Sequence, residues 1–273
     1  MKRLLTAAVC VPLALLALFR LPAVGFFVVV AFFITWAAWE FVRLVRPVAP
    51  DAPLGALVPL APLAAWGLAA ALDAGPAWPA GPVLLAAALL LAVGGAMLVL
   101  FARTPVEQAL PALAVLCFGI PYFALPIASL YALARFDPWW VFLLFAIVWL
   151  GDSAAFYIGT AWGRHRLAPV VSPKKSWEGA IAGFVTSVAA TAAWSLWYLG
   201  AVRGDLLLVG AATAFASQTG DLVESLLKRG ARVKDSGGIF PGHGGVFDRL
   251  DALLFAAPVL LAGLLWLGVP ARP

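Results

Sequence analysis

The sequence is 273 residues long and strongly apolar: 64% of it is hydrophobic, only 11% is charged, and its mean hydropathy is +1.01. Soluble domains carry about 25% charged residues, so this composition excludes an ordinary aqueous globular protein. Apolar runs of about 20 residues, the length that crosses a hydrocarbon core, recur along the whole chain, and the alternating strands of a membrane barrel are absent. The formal net charge is +5. The apolar runs predict an all-α integral membrane protein that forms a polytopic helical bundle.

Nine membrane spans are predicted, and Pro and Gly cluster between many of them. They cover about 4–19, 23–42, 54–73, 82–102, 108–132, 139–160, 178–200, 206–227 and 250–269. The first span resembles a cleaved secretory signal, but no clean small-x-small site follows it, so we interpret it as a helix. The fifth span contains Pro111, Gly119, Pro121 and Pro126, which make a kink or a split possible.

Positive charge divides unequally between the two sides that nine spans define. The N-terminus and the loops after the second, fourth, sixth and eighth spans hold fourteen of the eighteen Lys and Arg residues. Because cytoplasmic loops are enriched in Lys and Arg, this side is predicted to be cytoplasmic. Both long loops, about 161–177 and 228–249, lie on it. We expect one integral domain over 1–273, in which 1–140 forms N-terminal membrane helices and 141–273 carries both loops.

The first polar segments that suggest chemistry lie at the end of the sixth span and in the loop after it. Asp152 lies in WLGDSAAFYIG, near the predicted cytoplasmic end of the span. Its carboxylate could serve either in packing and hydrogen bonding or in an active site, and the sequence does not decide between the two. In the loop, Lys174 and Lys175 precede Ser176, which can cap a helix that starts at Trp177. Lysines beside a helix N-terminus suit an anion, but positive-inside topology and attraction to anionic lipid heads explain them as well.

The eighth span carries a polar stripe. A period of 3.6 residues brings six polar side chains to one face: Ser217, Gln218, Asp221, Glu224, Ser225 and Lys228. Ionisable groups at membrane depth usually face a protein interior or a water-filled cavity, which indicates a site here. The alternative is that Asp221 and Glu224 only pair with Lys228 near the interface.

The loop after this span combines glycines with cations and carboxylates. Its glycines let backbone amides approach an anion closely: Gly237, Gly238, Gly242, Gly244 and Gly245. Asp248 and Asp251 then open the last helix on one face, where a single acid would suffice for capping. Mg²⁺ prefers one or two carboxylates together with phosphate oxygens and water, so Asp221 and Asp248 are predicted to converge on one ion.

Residues 225–251, SLLKRGARVKDSGGIFPGHGGVFDRLD, resemble the signature of the phosphatidate cytidylyltransferases, the CDP-diacylglycerol synthases. Every fixed position of that signature is present: Ser225, Lys228, Arg229, Lys234, Asp235, Gly237, Pro241, His243, Gly244, Gly245, Asp248, Arg249 and Asp251. The segments GDSAAF, SPKKSWEG and GDLVES also resemble this family, in the same order. The resemblance covers about 150–260, whereas the first 140 residues match only in hydrophobic character.

The resemblance implies a nucleotidyltransferase of phospholipid biosynthesis. Such an enzyme transfers CMP from CTP to phosphatidic acid and releases CDP-diacylglycerol and pyrophosphate. The reaction requires Mg²⁺, and the resemblance does not decide between one metal ion and two. By the motif, the metal ligands are Asp221 and Asp248, and the catalytic residues are these two with Lys228, His243 and Arg249. The substrate-binding residues are Ser225, Arg229, Lys234, Asp235, Gly244, Gly245 and Asp251, to which we add Lys174, Lys175 and Asp152 as candidates.

The implied partners are CTP, phosphatidic acid and membrane lipids, with a homodimer expected from the family and no nucleic acid. The implied location is the cytoplasmic (inner) membrane, with the active site facing the cytoplasm. Two other functions are considered: a CTP-dependent lipid kinase, which transfers the γ-phosphoryl group, and a transporter. A transporter predicts ionisable residues at the middle of several spans and paired broken helices. Here the charges gather at one membrane face, which disfavours transport.

Overall fold

The computed structural model describes residues 2–73, with side chains from Val11 onward, together with 93–239 and 244–268. Within these ranges seven helices are long and apolar enough to cross a membrane, which confirms the all-α polytopic architecture. The fourth predicted span, 82–102, lies mostly outside the described residues, which include only its last part as a helix over 93–101.

The described residues form the following helices. In chain order they are α1 (Lys2–Arg20), α2 (Ala23–Val45), α3 (Leu57–Asp73), α4 (described over 93–101), α5 (Val106–Phe136), α6 (Pro138–Trp162), α7 (Trp177–Leu199), α8 (Gly204–Gly230) and α9 (Phe247–Trp266). Two short 3-10 turns, Arg46–Val48 and Leu54–Ala56, join α2 to α3.

The fifth span is one continuous helix of 31 residues, so it is not split into two elements. Membrane helices tolerate internal proline because neighbouring groups satisfy the backbone that proline frees. α5 is also the most enclosed of the seven spans, and it packs against α2, α3 and α9. At Gly119 a Cβ atom would lie 2.2 Å from Leu57 Cδ1, so the missing side chain lets α3 pack directly on α5.

The predicted loop 161–177 contains a small hairpin rather than irregular chain alone. Its strands, β1 (Arg166–Ala168) and β2 (Ser172–Ser176), pair antiparallel and lead directly into α7. Ser176 Oγ accepts a hydrogen bond from Gly179 N at 3.2 Å, so the predicted helix cap is confirmed. The hairpin thereby places Lys174 and Lys175 on a paired strand directly before α7.

An aromatic cluster from α2, α5 and α9 forms the core beneath the polar loops. Phe41, Phe123 and Phe247 are almost fully buried, and their ring centroids lie 5.4 to 5.9 Å apart. Phe41 follows Glu40 and Phe247 precedes Asp248 in the sequence. Packing of these rings therefore fixes where the two neighbouring carboxylates lie.

Charged contacts mark the two ends of the bundle. At one end, Arg229 of α8 donates a hydrogen bond to the Val171 carbonyl oxygen in the hairpin turn, and Ser236 after α8 donates one to Glu40 near the end of α2. At the other end, the Asp73 carboxylate pairs with Arg135 Nε at 2.6 Å and accepts a hydrogen bond from Tyr131. The two long loops that carry most of the predicted site therefore lie together at one end.

Candidate active site

A cavity of about 1110 Å³ lies between the helices, and two kinds of side chain line it. One group is polar and comes from α6, β2, α8, the following loop and α9: Asp152, Lys174, Lys175, Gln218, Asp221, Glu224, Lys228, Asp235, Asp248, Arg249 and Asp251. The other is apolar and comes mainly from α1, α2 and α6: Leu13, Ala14, Phe26, Val29, Val30, Phe33, Ile34, Phe145 and Trp149. The cavity can thus accommodate a molecule with a charged head and apolar chains.

Three carboxylates form a compact cluster at the polar part of this cavity. Ligand oxygens of Asp221, Glu224 and Asp251 all lie within 4.8 Å of one another. Close packing of α8 on α9 makes this possible, because a Cβ at Gly220 would lie 2.6 Å from the Asp251 carbonyl oxygen. Within the described part of the chain, the buried Oε1 of Glu224 has no hydrogen-bond partner. Adjacent acids with an unused buried oxygen suit a hard divalent cation such as Mg²⁺.

Asp248 lies beside this cluster, but protein donors surround its carboxylate. Oδ1 is 2.6 Å from Lys228 Nζ, and Oδ2 accepts hydrogen bonds from Ser236 N, Ser236 Oγ and Gly245 N at 2.9, 2.9 and 2.7 Å. Lys228 Nζ also lies 2.6 Å from Glu224 Oε2, so this ammonium group joins the two carboxylates. The structure groups Asp221 with Glu224 and Asp251, and the predicted ion between Asp221 and Asp248 stays a prediction.

The hairpin supplies a second cation to the acids. Lys175 Nζ lies 2.6 Å from Asp221 Oδ2, so β2 reaches across to α8. Ser225 contacts the same carboxylate through its hydroxyl group, at 3.5 Å from Asp221 Oδ1. Lys174 and Asp152 line the cavity as well, which brings the hairpin and α6 into the predicted site.

Other predicted residues lie at the edge of the site or beyond it. Arg229 donates hydrogen bonds to the carbonyl oxygens of Val171 and Val233, at 3.3 and 3.2 Å, and so fastens the hairpin to the loop after α8. Lys234 is exposed in that loop and is not among the cavity-lining residues. Gly244 has a φ of +76°, and a Cβ there would lie 2.4 Å from Asp248 Oδ2. His243 lies outside the described residues.

One residue of this site was missed at the sequence level. Glu40 on α2 is 2% exposed, and its Oε2 accepts hydrogen bonds from Ser236 Oγ at 3.0 Å and Phe247 N at 2.9 Å. A signal for it existed: Glu40 is the only acid in the 23 residues of α2, and an ionisable residue within an apolar span suggests a functional site.

Comparison with known proteins shows which family this chain is similar to. A model described as "Cytidylyltransferase family" matches residues 1–266. Phosphatidate cytidylyltransferase of Haemophilus influenzae is 42% identical over 120 residues, which are 42% of this chain and 42% of the relative. The protein of the same name from Pseudomonas aeruginosa is 42% identical over 128 residues, or 46% of this chain and 47% of the relative.

A third relative with that name, from Staphylococcus epidermidis, is 42% identical over 122 residues, which are 44% of this chain and 47% of the relative. The chain thus covers less than half the length of each of these three relatives, whereas the family match extends over nearly all of its own length. The chain belongs to the cytidylyltransferase family.

Proposed function

We propose that this protein is a phosphatidate cytidylyltransferase, which converts CTP and phosphatidic acid into CDP-diacylglycerol and pyrophosphate. The observation that carries the proposal is the cavity, in which clustered carboxylates and lysines adjoin an apolar lining. A water-soluble nucleotide needs the first environment and a diacyl lipid needs the second. Relatives named for this activity and the motif at 225–251 support the same conclusion.

Positioning and charge neutralisation are sufficient chemistry for this reaction. An oxygen of the lipid phosphate attacks the α-phosphorus of CTP, and a new P–O bond forms there. The bond from that phosphorus to the bridging oxygen of the β-phosphate breaks, and pyrophosphate leaves in line. Phosphatidate is already anionic, so no side chain has to remove a proton. Lys174, Lys175, Lys228 and Arg249 line the cavity and supply positive charge for the phosphates.

The acidic cluster fits the Mg²⁺ that the family implies. Asp221, Glu224 and Asp251 offer three neighbouring oxygens, and the buried Glu224 Oε1 lacks a hydrogen-bond partner within the described residues. We propose these residues as the holders of the ion, with Asp248 as the fourth carboxylate at hand. When bound, Mg²⁺ neutralises charge that develops on the phosphate oxygens.

We further propose that the chain works as one domain in the cytoplasmic membrane, with the cavity open to the cytoplasm. The excess of Lys and Arg on the loops at this end supports that orientation. Contacts of Glu40 with Ser236 and Phe247 tie the N-terminal helices to the region over 141–273, which supports a single unit. The homodimer implied by the resemblance stays a prediction.

Product analysis tests the proposed reaction. Purified protein receives CTP, phosphatidic acid and Mg²⁺, and the expected products are pyrophosphate and CDP-diacylglycerol in equal amounts. Release of CDP with a phosphorylated lipid would instead identify a lipid kinase. Uptake of a solute into proteoliposomes without either product would identify a transporter.

The Asp248→Asn variant provides the inactive comparator. We expect turnover to be lost, because the variant removes the charge that pairs with Lys228 and orders the loop at Ser236. The protein should still fold, since Lys228 keeps Glu224 as a partner. Normal elution from size-exclusion chromatography checks folding, and near-normal turnover would contradict the role of Asp248.

A further inference from the structure

The carboxylate of Glu40 performs a task that the start of α9 cannot perform for itself. Val246 occupies the N-cap position of α9, and its side chain forms no capping hydrogen bond. The first N–H groups of a helix need acceptors, and the helix dipole favours a negative charge there. Phe247 N, the first amide of α9, donates to Glu40 Oε2 at 2.9 Å. A residue 207 positions away in the chain therefore caps this helix.

Two glycines allow the chain to close around this carboxylate. A Cβ atom at Gly245 would lie 2.1 Å from Glu40 Oε2, and one at Gly237 would lie 2.4 Å from Glu40 Oε1. No side chain fits at either distance without displacing the acid. The side of each glycine that would carry a Cβ atom therefore faces Glu40, and the approach of these glycines to a phosphate stays a prediction.

Glu40 is also connected to the carboxylate of Asp248. The hydroxyl group of Ser236 lies between the two acids, 3.0 Å from Glu40 Oε2 and 2.9 Å from Asp248 Oδ2. Asp248 in turn holds Lys228, and Asp251 of the acidic cluster stands one helical turn after Phe247. The placement of the acids thus depends on how the start of α9 is held.

We propose that Glu40 is a positioning residue of the active site: it anchors Ser236 and the first turn of α9, so that Asp248 and Asp251 face the cavity. Its link to catalysis rests on the proposed cytidylyltransferase function. Its link to the acidic cluster does not, because binding of a cation can be measured without turnover.

The experiment compares Glu40→Ala with Glu40→Gln in the full-length, detergent-purified protein. Binding of Mn²⁺ alone is measured by electron paramagnetic resonance, and kcat and KM are measured with CTP and phosphatidic acid. Supporting groups around a metal site are worth about 10- to 100-fold in affinity or activity, so Glu40→Ala should lose that much in Mn²⁺ affinity and in kcat. The KM for phosphatidic acid should stay unchanged, because Glu40 is not among the residues that line the cavity.

Glu40→Gln should recover most of both quantities, since its amide oxygen can accept the same two hydrogen bonds. Gly245→Ala should reproduce the loss, because its methyl group would displace the carboxylate. Glu107→Ala, which removes an exposed acid at the start of α5, is the matched control and should behave as the unchanged protein.

Wild-type Mn²⁺ affinity and kcat in Glu40→Ala would overturn the proposal. So would a Glu40→Gln variant as impaired as Glu40→Ala, because the acceptor oxygen would then not be the cause. If Glu40→Ala cannot be purified, Ser236→Ala takes its place and should weaken Mn²⁺ binding by removing the hydroxyl group between the acids. If the unchanged protein makes no CDP-diacylglycerol, the proposed function fails, while the Mn²⁺ comparison still decides the role of Glu40.

Discussion

At the scale of single residues, the site balances its acids with its own lysines. Lys228 bridges Glu224 and Asp248, and Lys175 pairs with Asp221, all at 2.6 Å. A buried charge is costly unless it is paired, so these ammonium groups stabilise the carboxylates. The same lysines line the cavity in which we place the phosphates. Each lysine can therefore pair either with carboxylates of the protein or with a phosphate of the proposed substrate.

This exchange leads to a prediction for Lys175. Its ammonium group and a divalent cation compete for Asp221, so Lys175→Met should strengthen Mn²⁺ binding to the nucleotide-free protein. Both partners of the pair are partly exposed, and such pairs are worth about 0.2–1 kcal/mol, so we expect roughly a threefold gain in affinity. Affinity for CTP should fall in the same variant, because a positive charge near the phosphates is lost. Titration of Mn²⁺ and of CTP, each alone, measures the two effects.

Lys174→Met is the control for this prediction. Lys174 precedes Lys175 on β2 and lines the cavity, but it forms no ion pair within the described residues. Its loss should weaken CTP binding without strengthening Mn²⁺ binding. Equal Mn²⁺ affinities of Lys175→Met and the unchanged protein would show that Lys175 does not compete for the acid.

At the scale of elements, small residues bring α6 and α7 into direct backbone contact. A Cβ at Gly183 would lie 2.8 Å from the Gly151 carbonyl oxygen, and one at Gly151 would lie 2.4 Å from Ser187 Oγ. Such small-residue interfaces let membrane helices approach closely and pack by van der Waals contact. Asp152 lies on α6, and the hairpin connects α6 to α7. The distance between these two helices therefore decides how Asp152 and the hairpin are placed relative to α8.

Gly183→Ala should therefore lower the thermal stability of the protein. The added methyl group has no space between the helices, and overpacking of this kind costs about 1–3 kcal/mol. Gly67→Ala on α3 is the matched control, because a Cβ at Gly67 meets nothing within 4 Å. We expect the control to unfold at or slightly above the temperature of the unchanged protein, since Ala favours a helix more than Gly does. Thermal unfolding in detergent compares the three proteins, and equal midpoints would contradict the tight interface.

At the scale of the whole molecule, predictability depended on whether the signal was local. Apolar runs of membrane-spanning length indicated the helices, and the serine before Trp177 indicated the cap of α7, because both are properties of adjacent residues. The hairpin was not predicted, since SPKKS contains Pro and Lys and has weak strand character. Its strands are stabilised by their pairing with each other and by the hydrogen bond that Arg229 donates to the Val171 carbonyl oxygen.

The polar stripe of α8 shows what helical periodicity can predict and what it cannot. The period placed Asp221 and Glu224 on one face of α8, and these two acids do lie together in the cluster. The other contacts of the site join residues far apart in the sequence and could not be predicted from periodicity. Periodicity does not indicate which face of α9 packs on α8, or that Phe247 N donates a hydrogen bond to Glu40. Contacts between distant helices follow from packing of the whole bundle, and no single segment of the sequence contains them.

The orientation of the bundle in the membrane gives the last prediction. After replacement of Cys10 and Cys117 by Ser, single cysteines are introduced at Val170, 87% exposed in the hairpin turn, or at Val202, 51% exposed between α7 and α8 at the opposite end. Because the basic loops lie at the hairpin end, a membrane-impermeant maleimide should label Val202→Cys in spheroplasts and Val170→Cys in inverted vesicles. Labelling of both after solubilisation in detergent controls for reactivity. The reversed pattern would place the cavity on the outer side, where CTP is not supplied, and would contradict the proposed function together with the topology.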